Sequence, residues 1–190
     1  MASENPTRSQ LLDTVIIKLI LHKNPYFSVK IESDYYSINF SFEQVVILPV
    51  INKNKILFIK SIRPFFEKPV IELPAGGVDM GESIKSAAMR ELWEETGVKL
   101  KNNKALKSLA PLNTIPSRTK QMLNIFKADI SFDEYEMRDS HDNEVAGLLL
   151  LDYKQAINKI NSGEIFVATT VAVCLKHIFS SDKTYFFGEL

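Results

Sequence analysis

Residues 76–98 run GGVDMGESIKSAAMRELWEETGV, and the spacing inside them sets both a helix and its chemistry. Positions 83–96 are rich in good helix formers, and Gly97 stands where a helix stops. Within that helix Glu91, Glu94 and Glu95 fall at i, i+3 and i+4, so three carboxylates share roughly 100° of one face. Ile84, Ala87 and Ala88 project on the same side, which turns that face towards the protein body. Glu-rich helix faces usually serve solubility alone. Clustered carboxylates on an inward face repel, however, and raise one another's pKa unless a cation neutralises them. Their hard oxygens suit Mg²⁺ or Mn²⁺, so Glu91, Glu94 and Glu95 read as a divalent-metal site. Arg90 adjoins them and can hold one carboxylate by a charge-assisted pair. The glycines let the loop backbone approach the helix, so that a carbonyl of Ala75 or Gly76 can add a further hard ligand.

Upstream of this stretch the chain is β-rich. TVIIKLIL, YFSVKI and YYSINF within residues 14–42 are separated by the turn-like HKNP and ESD, and they predict a small antiparallel sheet. QVVILPVI and ILFIKSI follow, split by the hairpin signal Asn52-Lys53-Asn54, and a short run over 70–73 precedes Pro74. Downstream, strands are expected over 106–112, 122–130 and 145–151, then helices over 153–161 and 165–179. The organisation expected is a disordered start over 1–10, a β sub-domain over 11–42 and one catalytic domain over 43–190.

The bulk numbers exclude several function classes. With 190 residues the chain has room for one full core but not two large ones. Lys plus Arg number 23 and Asp plus Glu 23, so no general field draws the protein to nucleic acid or to an anionic membrane. An anionic substrate must then be met by a few placed cations. Cys174 is the single cysteine and sits among Val171, Val173 and Leu175, which suits a buried structural thiol in a reducing compartment. The apolar run over 11–21 is broken by Asp13 and Lys18 and is too short to span a bilayer, so a cytoplasmic location is expected.

The stretch over 76–98 also fits the signature G-x5-E-x7-R-E-U-x-E-E-x-G-U, with U aliphatic, at Gly76, Glu82, Arg90, Glu91, Leu92, Glu94, Glu95, Gly97 and Val98. The fixed identities make a chance match rarer than about one in ten million per start position. In this the chain resembles the Nudix hydrolases, whose fold is an α/β/α sandwich around a mixed sheet. The resemblance extends to Arg63 and to the run Glu72-Leu73-Pro74-Ala75-Gly76, and to GEI followed by ATTVAV over 163–173, features similar to ADP-ribose and ADP-sugar pyrophosphatases. It implies a Mg²⁺-dependent hydrolase of the diphosphate linkage in a nucleoside-diphosphate sugar, and a homodimer built through the N-terminal sub-domain. By the same likeness Arg63 meets phosphate or base, Glu72 lies near the site, and Gly76 lines it.

The chain departs from the subtype after the signature. Where the subtype has a Pro-Gly loop with an acidic residue, this chain has IPSRTKQ over 115–121, in which Arg118 can still bind phosphate. Similar enzymes take a general base from an acidic loop before a late core strand. That implies Glu144 first and Asp142 second in SHDNE, since a carboxylate within reach can accept a proton from the attacking water. Phe65, Phe66, Tyr26 and Phe27 are available for stacking on a base, although aromatics beside strands are more often core. Other readings are a Nudix hydrolase of another nucleotide-sugar, a dinucleotide or a nucleotide cofactor, and a nucleotide-sensing module without turnover. An RNA decapping enzyme fits poorly with the neutral charge.

Overall fold

The structure is a computed structural model and describes residues 19–32 and 35–181; the expected disordered start and the first residues of TVIIKLIL lie outside them. Two compact units are present. The smaller comprises described residues up to Phe42 together with Ile115–Gln121, and the larger comprises Glu43–Thr114 and the described residues from Met122 on.

In the smaller unit β1 (Leu19–Lys23), β2 (Phe27–Glu32) and β3 (Tyr35–Phe40) form an antiparallel sheet in the order β1-β2-β3. Asn24 makes the first turn, its side-chain oxygen accepting from the backbone N–H groups of Tyr26 and Phe27. Ile115–Gln121, read from the sequence as part of residues 43–190, groups with this sheet. The Arg118 carbonyl accepts the Ile38 N–H at 2.7 Å, and Gln121 Nε2 donates to the Phe42 carbonyl. Backbone groups left open on an edge strand thereby find partners. No residue of β1 is buried, and Leu19, Ile20 and Leu21 are all exposed.

The larger unit is built on β4 (Gln44–Ile51), β5 (Lys55–Ser61), β6 (Val70–Glu72), β7 (Ala75–Gly77), β8 (Leu106–Ser108), β9 (Asn124–Ile130) and β10 (Val145–Asp152). The main path runs β10-β5-β4-β9-β8, with β6 on β5 and β7 on β4. Only β4 and β9 run parallel; the other pairs are antiparallel, so the sheet is mixed. The β4–β5 hairpin turns on Asn52 (φ 46°) and Lys53 (φ 67°), the left-handed pair that matches strand twist in a two-residue turn.

Strand β4 is buried almost throughout, and its alternation sorts the two layers. Val46, Leu48 and Val50 face α3 (Tyr153–Asn161) and α4 (Ala168–Ser181), packing with Ala156, Val173, Cys174 and Ile178. Val45, Ile47 and Ile51 face α1 (Ile84–Thr96), packing with Ala87, Ala88 and Leu92. Helices on both faces of one mixed sheet give the α/β/α sandwich. Burial raises the Cys174 thiol well above its ordinary range, which leaves it inert.

Pro49 is tolerated inside this central strand because of where its partners end. On the edge facing β7 and β5, β7 pairs with Gln44–Val46 and β5 with Val50–Ile51, so the missing N–H falls in the gap between them. The strand expected over 106–112 is only β8, with an isolated Leu112–Leu123 bridge beyond it. The last helix begins at Ala168, three residues later than its apolar pattern suggested. A short helix, α2 (Phe132–Glu136), was not anticipated; Ser131 and Glu134 close it with a reciprocal capping box. Among the described residues no helix is long and apolar enough to cross a membrane.

Candidate active site

Helix α1 is held at both ends by its own sequence. Ser83 caps the start by accepting from the Ser86 N–H at 3.1 Å, and Gly97 ends it in the left-handed region at φ 73°, donating to the Trp93 carbonyl. The face bearing Ala87, Ala88 and Leu92 is buried on the sheet, and it carries Glu95 in with it. Glu95 is only 9% exposed, and its carboxylate accepts the Ala75 N–H of β7 at 2.8 Å. The helix is thereby tied to the strand that precedes it.

Glu91 lies one turn earlier, beneath Gly76. A Cβ at position 76 would stand 2.1 Å from the Glu91 carboxyl, so the first glycine of the signature is required by close approach. Burial pushes the Glu95 carboxyl up to about 8, outweighing the Ala75 hydrogen bond, with Glu91, Asp142 and Glu72 adding repulsion. Burial also raises Glu91, against the opposing pull of Arg90.

Arg90 is the hub of the remaining charges. It reaches Glu82 at 3.0 Å, Glu91 at 2.7 Å and Glu94 at 3.0 Å, and donates to the Gly77 carbonyl at 2.8 Å. Its guanidinium is held firmly in the charged form, chiefly by Glu82, whose own carboxyl is lowered by the same contact. The role of Glu82 as anchor for Arg90 was not assigned from sequence; its fixed place in the signature was the available signal.

Arg63 and Glu72, each read separately from sequence, prove to be partners. Arg63 Nε donates to Glu72 Oε1 at 2.7 Å across the β5–β6 edge, and both line a cavity of about 310 Å³ that also touches Gln44, Ala75, Gly76 and Thr170. Asp142 lies close enough to Glu95 to act on its charge, and its N–H donates to the Glu94 carbonyl at 2.8 Å. Glu144 is exposed, with its carbonyl accepting the Ile62 N–H at 3.0 Å, next to Arg63. Arg118 is carried on the smaller unit, where its guanidinium donates to the Ser117 carbonyl. Phe65 is 94% exposed, and Phe66 packs on Phe166 with ring centroids 5.4 Å apart.

Comparison with known proteins bears on this arrangement. The NUDIX domain family matches residues 42–168. The chain belongs to the Nudix hydrolase family. It is 29% identical over 126 residues to an ADP-ribose pyrophosphatase of Bacillus subtilis (strain 168), a match spanning 66% of each protein. It is 28% identical over 127 residues to a methanol dehydrogenase activator of Bacillus methanolicus, spanning 67% of each. The crystal structure of an ADP compounds hydrolase superposes with a TM-score of 0.65 at 20% identity, covering 85% of this chain and 90% of that one, which speaks for the fold.

The side chains of this Nudix site suit a divalent cation by their chemistry. Glu91 and Glu95 are desolvated carboxylates with raised affinity for any positive charge, and every donor is hard oxygen. Among the described residues no three His, Cys, Asp or Glu side chains converge as an ion cage, since Arg90 takes up oxygens of Glu91 and Glu94.

Proposed function

We propose that this Nudix protein hydrolyses the diphosphate linkage of a nucleoside-diphosphate sugar, ADP-ribose or a related ADP-sugar, with Mg²⁺ or Mn²⁺. The observation that carries the reading is the buried Glu95 beside Glu91, two carboxylates desolvated at the end of an intact signature helix. Similarity to an ADP-ribose pyrophosphatase supports the substrate class. Glu91, Glu94 and Glu95, with the Ala75 carbonyl, are the groups that would hold the ion. When bound, a divalent ion neutralises diphosphate charge and makes a nearby water more acidic.

The chain's own residues supply the rest. Arg90 keeps the glutamates ordered through its contacts with Glu82, Glu91 and Glu94. Arg63, oriented by Glu72, offers a planar cation to the substrate's phosphates or base, and Gly76 leaves room beside the glutamates. Arg118 serves as a further phosphate contact. Water attacks phosphorus, its proton passes to Glu144 or, failing that, Asp142, and the P–O–P bond breaks to give AMP and a sugar phosphate.

The exposed apolar residues of β1, Leu19, Ile20 and Leu21, on a three-stranded sheet too small for its own core, support a homodimer through the smaller unit. The test is a panel of ADP-ribose, other nucleotide-sugars, dinucleotides and nucleotide cofactors, run with Mg²⁺ and with Mn²⁺ and read as phosphate released by an added phosphatase. ADP-ribose or an ADP-sugar is expected to give the highest kcat/KM, abolished by EDTA. Turnover of no diphosphate compound would overturn the proposal, and light scattering showing a monomer at high micromolar concentration would remove the dimer.

A further inference from the structure

Residues 137–144 pass from α2 to β10 across the C-terminal end of α1, and the passage is tied down at several points. The Asp139 N–H donates to the Gly97 carbonyl at 2.9 Å, and the Asp142 N–H to the Glu94 carbonyl at 2.8 Å. Carbonyls in the last turn of a helix lack partners within it, so the loop uses acceptors the helix leaves open. A Cβ at Gly97 would stand 2.0 Å from the Asp139 carbonyl oxygen, which shows how tightly the two backbones meet. Gly97 is thus needed twice, for its left-handed φ and for this approach.

Side chains reinforce the same point. Asp139 Oδ2 accepts the Trp93 indole N–H at 3.0 Å and pairs with Lys99 Nζ at 2.8 Å. Lys99 Nζ also lies 4.9 Å from the centre of the Trp93 ring, within cation–π range. Trp93 occupies the one position in the run Glu91–Glu95 that the signature leaves open besides the aliphatic Leu92. Counting about 100° per residue, it projects well away from the face shared by Glu91, Glu94 and Glu95. It is 41% exposed, a large aromatic kept at the surface with its single polar atom engaged. Its position gives it no contact with the carboxylate face, so any influence on the reaction passes through Asp139 and the loop.

We propose that Trp93, Lys99 and Asp139 form a clasp that positions the acidic loop, setting how Asp142 and Glu144 present their carboxylates to the glutamate face of α1. This rests on the hydrolytic reading above and adds positioning residues to it. Two anchors three residues apart, at Asp139 and Asp142, leave the segment between them little freedom. With the Asp139 anchor loosened, the Asp142 hydrogen bond must hold the loop alone, and a shift of the order of 1 Å in a proton acceptor costs up to about 10²-fold in rate.

The experiment compares Trp93→Phe, which keeps the ring over Lys99 but loses the N–H, with Asp139→Ala and with Asp139→Asn, which keeps an acceptor for the indole. Amide hydrogen exchange and steady-state kinetics are measured on the same preparations, with Asp142→Asn and Glu144→Gln in parallel. The clasp predicts faster exchange over residues 139–143 with α1 unchanged. It also predicts a kcat about tenfold lower for Trp93→Phe and Asp139→Ala at unaltered KM, with Asp139→Asn partly rescued. The double variant Trp93→Phe/Asp139→Ala should be no worse than Asp139→Ala alone. If Asp139→Ala fails to fold, Trp93→Phe and Asp139→Asn carry the test. Unchanged exchange in Trp93→Phe overturns the clasp, as does faster exchange with full kcat while a loop carboxylate variant is crippled. If both loop carboxylate variants keep full activity, the base assignment falls, and the clasp's catalytic role falls with it whatever the exchange shows.

Discussion

The two ends of strand β4 treat charge in opposite ways. At the Ile51 end lies a cavity of about 690 Å³ whose ionic groups are satisfied. Lys107 and Lys127 each take one oxygen of Asp129, at 2.8 and 2.7 Å, and against a burial penalty the two lysines hold its carboxyl below the usual range. At the Gln44 end the cavity is smaller, about 310 Å³, yet it adjoins Glu95, whose carboxyl is pushed up to about 8 by burial with no cationic side chain within salt-bridge reach. Volume favours one end and unbalanced electrostatics the other. Buried charge left without full compensation is costly, so its presence marks the end where a ligand supplies the missing charge.

The sharpest way to break this comparison is Glu95→Gln. The amide still accepts the Ala75 N–H but removes the buried carboxylate, so turnover should fall at least about 10³-fold. The Tm measured in EDTA near pH 8 should hold or rise, because a destabilised charge has gone. Glu94→Gln should likewise abolish most turnover with the fold intact. Activity within a factor of two of the parent for either variant would mean that these carboxylates bear no catalytic charge.

Gly76→Ala comes next in size. The added methyl meets only the flexible end of Glu91, so circular dichroism and Tm should change little while the carboxylate swings aside. A kcat loss of about 10²-fold is expected from that displacement. Equal activity would show that Glu91 can move without consequence.

Arg63→Ala should act on binding. Loss of a cation facing the substrate should raise KM by about tenfold with kcat within about threefold, read by steady-state kinetics on ADP-ribose. A fall in kcat at constant KM would move Arg63 from binding to the reaction itself.

The contrast between the two ends also explains what was legible in the sequence. The helix face of Glu91, Glu94 and Glu95 was legible because helical period and burial act within one local segment. Strands β3 and β4 were legible for the same reason: alternation or a continuous apolar run, bounded by turn residues. The Arg63–Glu72 pair was not, since it joins two strands across a hairpin edge and either residue alone looks like surface charge. Strand β7 was missed because Ala75–Gly77 carries no pattern of its own; it is a strand only because β4 offers it partners. The grouping of Ile115–Gln121 with the small sheet depends on backbone hydrogen bonds to Ile38 and Phe42, which leave no trace in side-chain composition. The Trp93–Asp139 contact spans a sequence distance that no local pattern bridges.

The smallest expected effect lies at the quiet end, where His177 is kept neutral. Burial lowers its pKa to about 4, with Lys127 acting the same way and Asp129 opposing. Tyr153 donates its hydroxyl hydrogen to the Lys53 carbonyl at 2.7 Å, so its oxygen is left to accept from His177 Nε2–H at 3.0 Å. The sign follows from proton counting. Above the ordinary histidine value neither folded nor unfolded state binds the proton; as pH falls below about 6.5 the unfolded chain binds it first, and the fold loses stability until about pH 4. His177→Gln has nothing to titrate, so its Tm should fall less between pH 7 and pH 5 than that of the parent, by about 2–4 °C. Its kcat at pH 7.5 should match the parent, since no contact links position 177 to the glutamate face. Parallel Tm curves over that interval would show that His177 titrates freely, and the end of the sheet near Ile51 would then hold an uncompensated group of its own.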